Sequence, residues 1–268
     1  MQRWRKIKEG ERTKFVSEDP LPWQVGLMTN ILKNHRIFCG AVLLSNEVML
    51  SAAHCKREMT FDGSDLAYIG SKLEQKSITI DDMHRIQAKH LVHPLYEEFK
   101  AKTLSIAIHD LMLLFLVTPL KNLCSSRPFA RLPAPGDFKH FLAGKHLLVS
   151  GWGTTIPVTR EQVIAFFGGT PFKVDTPGHV RYINTFYLPP HICQKRLQNF
   201  FNSYQNVEGA PTDPNIQKIR VGDINFNSHT GSSMMCTSAC VAEDVSQCVN
   251  CQNCNLKKDH CSGDSGGI

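Results

Sequence analysis

The apolar residues of this chain arrive in short runs, at 25–27, 39–44, 48–52, 86–92 and 111–117, separated by turn-forming pairs such as Ser45-Asn46, His93-Pro94 and Thr118-Pro119. A helix that buries one face needs a longer stretch of apolar positions at 3.6-residue spacing, so runs of this length bounded by turn signals read as β-strands. The longest, 111–117, falls far short of the roughly 20 apolar residues that carry a helix across a bilayer, and no membrane span is expected. With 268 residues and 42% hydrophobic content, the chain can bury a sizeable core in one two-lobed unit or two small domains. It contains no internal repeat or low-complexity tract.

Ten cysteines point to an oxidising compartment. The first residues, from Met1 to Lys8, are basic and have no apolar stretch, so they do not form a signal peptide. An extracellular location is expected all the same; the alternative is a protein that stays inside the cell with its thiols reduced, which would favour zinc over disulfides. Cys240, Cys248, Cys251 and Cys254 lie close together with a Cys-x-x-Cys-x-x-Cys core. Such spacing suits either two disulfides or a tetrahedral zinc site, with Cys240 or His260 as the fourth ligand. Disulfides are the expectation outside the cell, and no metal is assigned.

The net charge of +6 permits an acidic partner without demanding one. Arg3, Arg5, Lys6, Lys8, Arg12 and Lys14 crowd the first fourteen positions and read as a solvated end. Nothing resembles a nucleic-acid-binding module. His35, His84, His90, His93 and His109 lack a paired motif and read as surface or strand residues.

Chemistry concentrates in a few islands. Cys261-Ser262-Gly263-Asp264-Ser265-Gly266-Gly267 sets a serine among glycines. Ser51-Ala52-Ala53-His54-Cys55 follows Phe38-Cys39-Gly40-Ala41-Val42-Leu43-Leu44-Ser45, and Asp110-Leu111-Met112-Leu113-Leu114 runs on to Thr118-Pro119-Leu120. Pro22-Trp23-Gln24-Val25-Gly26-Leu27 and Val149-Ser150-Gly151-Trp152-Gly153-Thr154 complete the set. In this order the islands resemble the histidine, aspartate and nucleophile blocks and the barrel-opening strands of the trypsin-like (chymotrypsin-fold) serine proteases.

The resemblance implies an all-β protein of two six-stranded antiparallel β-barrels with the active site between them. It implies a basic, activation-like segment over residues 1–20 and a protease domain over 21–268. The first barrel would span about 21–133 and the second about 145–268. In the family further strands follow the nucleophile loop, whereas here only Ile268 does, so the expectation is a second barrel incomplete at its C-terminus. Cys39 with Cys55 and Cys193 with Cys236 match two family disulfides, and Cys261 normally pairs with a cysteine beyond the serine.

The implied activity is hydrolysis of peptide bonds after Lys or Arg. His54 would be the base, Asp110 its orienting partner and Ser265 the nucleophile, because a serine hydroxyl attacks only when an imidazole takes its proton. The backbone N–H groups of Gly263 and Ser265 would form the oxyanion hole. Asp259 falls at the base of the primary specificity pocket, and Asp264 would pair with the new amine of Ile7 after cleavage behind Lys6. Lys8 and Glu9 depart from the usual activation sequence. No cofactor and no calcium site are implied. Protein or peptide substrates and serpin-type or other protease inhibitors are the implied partners. The alternative is a catalytically silent, truncated homologue that acts by binding through its cleft or its cysteine-rich insertion.

Overall fold

A computed structural model describes residues 21–28, 37–71, 78–101, 104–121, 129–134, 146–153, 179–196 and 236–238. Six strands close into a barrel: β1 (Gln24–Met28), β2 (Ile37–Leu43), β3 (Val48–Ser51), β4 (Leu66–Ile69), β5 (Met83–Val92) and β8 (Met112–Leu116). Their order around the barrel is β1-β2-β3-β8-β5-β4, and every pairing is antiparallel. Closure leaves no free edge, which removes the unpaired N–H and C=O groups that an open sheet would expose.

Alternation along each strand sorts side chains between two cores. Val25, Leu27, Cys39, Ala41, Leu43, Met49, Ala67, Ile69, Met112, Leu114 and Leu116 point into the barrel and pack together. Met28, Ile37, Leu66 and Tyr68 lie on the outer face, where they pack with Leu21, Ile78, Trp152 and Val180. β1 and β4 are therefore buried on both faces, and each reads as a short continuous apolar run instead of an alternating one. A bulge between Leu27 and Met28 shifts the β1–β2 register. On β1, Gly26 packs against Ile37, and an added Cβ would come within 2.6 Å of Ile37 Cδ1.

The turn into β3 is held by Ser45, whose Oγ accepts the N–H groups of Glu47 (3.3 Å) and Val48 (3.1 Å). This is the local side-chain bond that makes serine a turn former. Asp65, buried just ahead of β4, accepts from the amides of Thr60 (3.1 Å) and Phe61 (2.7 Å). That pairing satisfies a carboxylate which would be costly to bury alone.

The strands expected at 25–27, 39–44, 48–52, 86–92 and 111–117 correspond to β1, β2, β3, β5 and β8. Two features lay outside that reading: β4, and a two-stranded ribbon of β6 (Glu97–Ala101) and β7 (Leu104–Ile108).

Beyond the barrel, β9 (His146–Gly151), β10 (Arg181–Leu188) and β11 (Cys236–Ser238) form a three-stranded antiparallel sheet in the order β11-β10-β9. A helical segment at 190–196 follows β10, and Cys193 is disulfide-bonded to Cys236. Between barrel and sheet, Ser150 Oγ donates to Gln24 Oε1 at 2.6 Å, with both residues buried. No helix among the described residues is long and apolar enough to cross a membrane.

Candidate active site

The site grows from the rim of the barrel where β3 ends beside the start of β8. The ladder between them stops at Ser51 opposite Met112. Continuing that antiparallel register by two positions sets residue 53 opposite residue 110. Sheet register thus directs Asp110 toward the histidine-bearing turn, although 56 residues of chain separate His54 from it.

After β3 the backbone enters a 3₁₀ turn, Ala53–Glu58, which carries His54. The Cys39–Cys55 disulfide, with a Cα–Cα distance of 6.2 Å, pins this turn to β2. On the other side, His109 adopts the left-handed conformation at φ 49°, an uncommon setting for a residue with a side chain. The amide of Leu111 donates to the His109 carbonyl (2.8 Å), and that of His93 donates to the Leu111 carbonyl (2.9 Å). The His109 ring stacks on His93, centroids 4.9 Å apart and 9° from parallel. These contacts hold the bend that turns Asp110 back onto the rim.

Both Asp110 oxygens meet His54. The backbone N–H of His54 donates to Oδ1 at 2.8 Å, and Nδ1 lies 2.6 Å from Oδ2. The His54 side chain is 32% exposed and that of Asp110 25%, so one pair is shielded yet open on one side. Burial by itself pushes the Asp110 carboxyl up. Its hydrogen bond to the imidazole, the attraction of that ring, and the amides of His54 and Ala53 outweigh burial and hold it below the 3.8 of an unperturbed aspartate. Ionised Asp110 fixes the imidazole with a proton on Nδ1, which leaves Nε2 free to accept one from a nucleophile.

Four further charged or polar residues form a connected group beginning on the same turn as His54, and none was found from the sequence. Arg57, on the same 3₁₀ turn, forms an ion pair with Glu98 of β6. Tyr96 donates its hydroxyl to Glu98 Oε2 at 3.3 Å, and Lys56 Nζ lies 5.0 Å from the centre of the Tyr96 ring. Burial and the nearby Asp110 charge push the Tyr96 hydroxyl up, while Arg57 opposes them. The only sequence signal for this group was the three-residue step from His54 to Arg57, which has meaning only once the segment is known to be a 3₁₀ turn.

Cys39, His54 and Cys55 bring their ligand atoms within 4.8 Å of one another. The two sulfurs are joined in a disulfide, which removes the thiolates a metal would need. Of the expected site residues, the structure brings His54 and Asp110 together. Ser265, Gly263, Asp264, Asp259 and Ile7 lie outside the described residues, as do Cys240, Cys248, Cys251 and Cys254. The expected pairs Cys39–Cys55 and Cys193–Cys236 are both formed.

A family model described as Trypsin matches residues 8–165, a range that contains His54 and Asp110. Among curated proteins, a suppressor of tumorigenicity 14 protein homolog from Bos taurus is 32% identical over 204 residues, which is 71% of this chain and 21% of that protein. Kallikrein-15 from Saguinus oedipus is 31% identical over 211 residues, covering 76% of this chain and 69% of the relative. Mast cell protease 2 from Meriones unguiculatus is 23% identical over 192 residues, covering 71% and 70% respectively. The chain thus spans about a fifth of the first of these relatives and over two thirds of the other two.

Proposed function

This chain belongs to the trypsin family of serine proteases and is by family a hydrolase, and we propose that it is a serine endopeptidase that cleaves after Lys or Arg. The observation that carries this reading is the two-point contact of Asp110 with His54. A carboxylate that grips both the backbone amide and the ring leaves the imidazole one orientation and one tautomer.

In the proposed reaction Ser265 Oγ attacks the scissile carbonyl as His54 Nε2 takes its proton. The tetrahedral oxyanion is held by the backbone N–H groups of Gly263 and Ser265. His54 then gives the proton to the departing amine, leaving an acyl-enzyme that water hydrolyses by the same route. Asp110 stays ionised throughout and offsets the imidazolium charge. Asp259 would receive the basic side chain of the substrate, and Asp264 would pair with the amine of Ile7 once the chain is activated. In this reading the β9–β10–β11 sheet belongs to a second barrel spanning about 145–268, after a first of about 21–133 and a leading segment of 1–20. Two formed disulfides support an extracellular setting, because reducing compartments keep such thiols apart. The partners would be protein or peptide substrates and serpin-type or other protease inhibitors.

A fluorophosphonate probe tests the core of this reading. It is expected to label the folded protein, but not Ser265→Ala or His54→Ala. Protein that has not met the probe should hydrolyse Lys and Arg peptides, labelling should abolish that activity, and the preference should be lost in Asp259→Ser. Absence of labelling in folded wild-type protein that has been cleaved behind Lys6 would overturn the assignment and leave the binding homologue as the function.

A further inference from the structure

Arg57 stands three residues after His54 within one 3₁₀ turn, and side chains at that spacing eclipse one another. The face that presents His54 to Asp110 is therefore the face from which the Arg57 side chain departs. Guanidinium groups bind carboxylates in a planar two-point fork, more strongly than a neutral donor does. An unrestrained Arg57 would compete with the His54 ring for Asp110. Burial pushes the Tyr96 hydroxyl up most, the Asp110 charge adds to this and Arg57 opposes it, so cation and carboxylate act on the same phenol.

Arg57 is instead engaged by Glu98, whose side chain is only 13% exposed while that of Arg57 is 38% exposed. Glu98 is held from its other side by the Tyr96 hydroxyl, and Tyr96 is packed against the barrel core beneath Lys56. Two cations, Arg57 and Lys56, thus leave the histidine-bearing turn, and β6 with the residue before it supplies a partner for each.

We infer that Glu98 is a positioning residue: it retains the Arg57 guanidinium, so that both oxygens of Asp110 stay on His54. This deepens the proposed function and rests on His54 acting as the base. The ribbon that carries Glu98 ends at Ile108, two residues before Asp110, so one segment of chain delivers both the orienting carboxylate and the group that keeps a competing cation away from it.

The consequence is an asymmetry that a plain stabilising ion pair would not produce. In Glu98→Gln, the amide still accepts from Tyr96 but no longer neutralises Arg57, which turns to Asp110. In R57Q there is no competitor to release, and in R57Q/E98Q the competitor is gone although the ion pair is gone too. Two readouts follow on the full chain: the rate of labelling by a fluorophosphonate probe, and the low-field proton resonance of the His54 Nδ1–H bonded to Asp110. E98Q is expected to slow labelling at least tenfold and to lose the resonance. R57Q and R57Q/E98Q are expected to label within threefold of wild type and to keep it. An E98Q protein that retains the resonance, or a double variant as impaired as E98Q, would overturn the inference. The resonance does not depend on Ser265, so a wild-type protein that shows it without being labelled refutes the protease reading while leaving this one testable.

Discussion

Asp110→Asn is the substitution whose outcome the site geometry dictates most fully. Each Asp110 oxygen faces a donor from His54: the backbone N–H on Oδ1 at 2.8 Å and the ring Nδ1 on Oδ2 at 2.6 Å. An asparagine of the same shape has one acceptor and one NH₂ group to set against those two positions. If the NH₂ faced the backbone amide, two fixed donors would meet with no relief. Facing the ring, it finds a partner that can move its proton from Nδ1 to Nε2 and become an acceptor. The second arrangement wins, because an unmade buried hydrogen bond costs about 1–3 kcal/mol whereas exchanging tautomers costs much less. The fold keeps both contacts, but Nε2 now carries a hydrogen and cannot accept one from Ser265. In the best-studied protease of this class the same change lowers turnover roughly 10⁴-fold, which corresponds to about 5.5 kcal/mol of barrier. A loss of that order is expected here in fluorophosphonate labelling, with a thermal midpoint close to that of wild type. Nitrogen NMR of the imidazole should show the proton on Nε2 in D110N and on Nδ1 in wild type. Labelling within tenfold of wild type, or an unchanged tautomer, would refute the argument.

Three other outcomes follow from the same structure. Asp110 is held below its ordinary value, so the unfolded chain binds more protons than the folded one at acid pH. Its contribution is complete above pH 3.8 and is lost as pH falls through the lower folded value, and acid unfolding below about pH 4 should be steeper for wild type than for D110N. The Cys39–Cys55 bond closes a sequence separation of 16, and chain entropy puts its contribution at about 3 kcal/mol. The C39A/C55A protein should lose that much in urea unfolding, and a loss under about 1 kcal/mol would refute the estimate of loop closure. A Cβ at Gly26 would lie 2.6 Å from Ile37 Cδ1 and 3.0 Å from Cγ1, so G26A should cost about 1–3 kcal/mol by overpacking. I37V deletes Cδ1 and should recover part of that loss in the double variant, and purely additive losses would show that the close approach is not the cause.

Much of the barrel was legible because its strands are short apolar runs between turn residues. β4 has the same character in Leu66-Ala67-Tyr68-Ile69, all four buried, and it was passed over although the signal was present. The β6–β7 ribbon is a different case. Glu97-Glu98-Phe99-Lys100-Ala101 offers no apolar run, and its pairing with Leu104–Ile108 is a matter of backbone register. Leu104-Ser105-Ile106-Ala107-Ile108 does carry a short apolar pattern, but its partner strand does not, and the pairing became visible only in the structure.

By itself the sequence determined which residues were available for chemistry, which cysteines would pair around the histidine turn, and the family to which the chain belongs. His54, Asp110, Cys39 and Cys55 could be chosen before any coordinate was known, because each sits in a local motif. Tertiary structure alone decided what each of them meets. Asp110 reaches His54 because β3 and β8 pair in a register that brings position 110 across from position 53, and because His109 bends the chain back over the rim. Arg57 reaches Glu98 because a 3₁₀ turn and a ribbon from distant sequence share that rim. Local patterns record the period of a strand or the chemistry of a loop, whereas a contact across 56 residues depends on sheet register, which is set by the burial of the whole barrel.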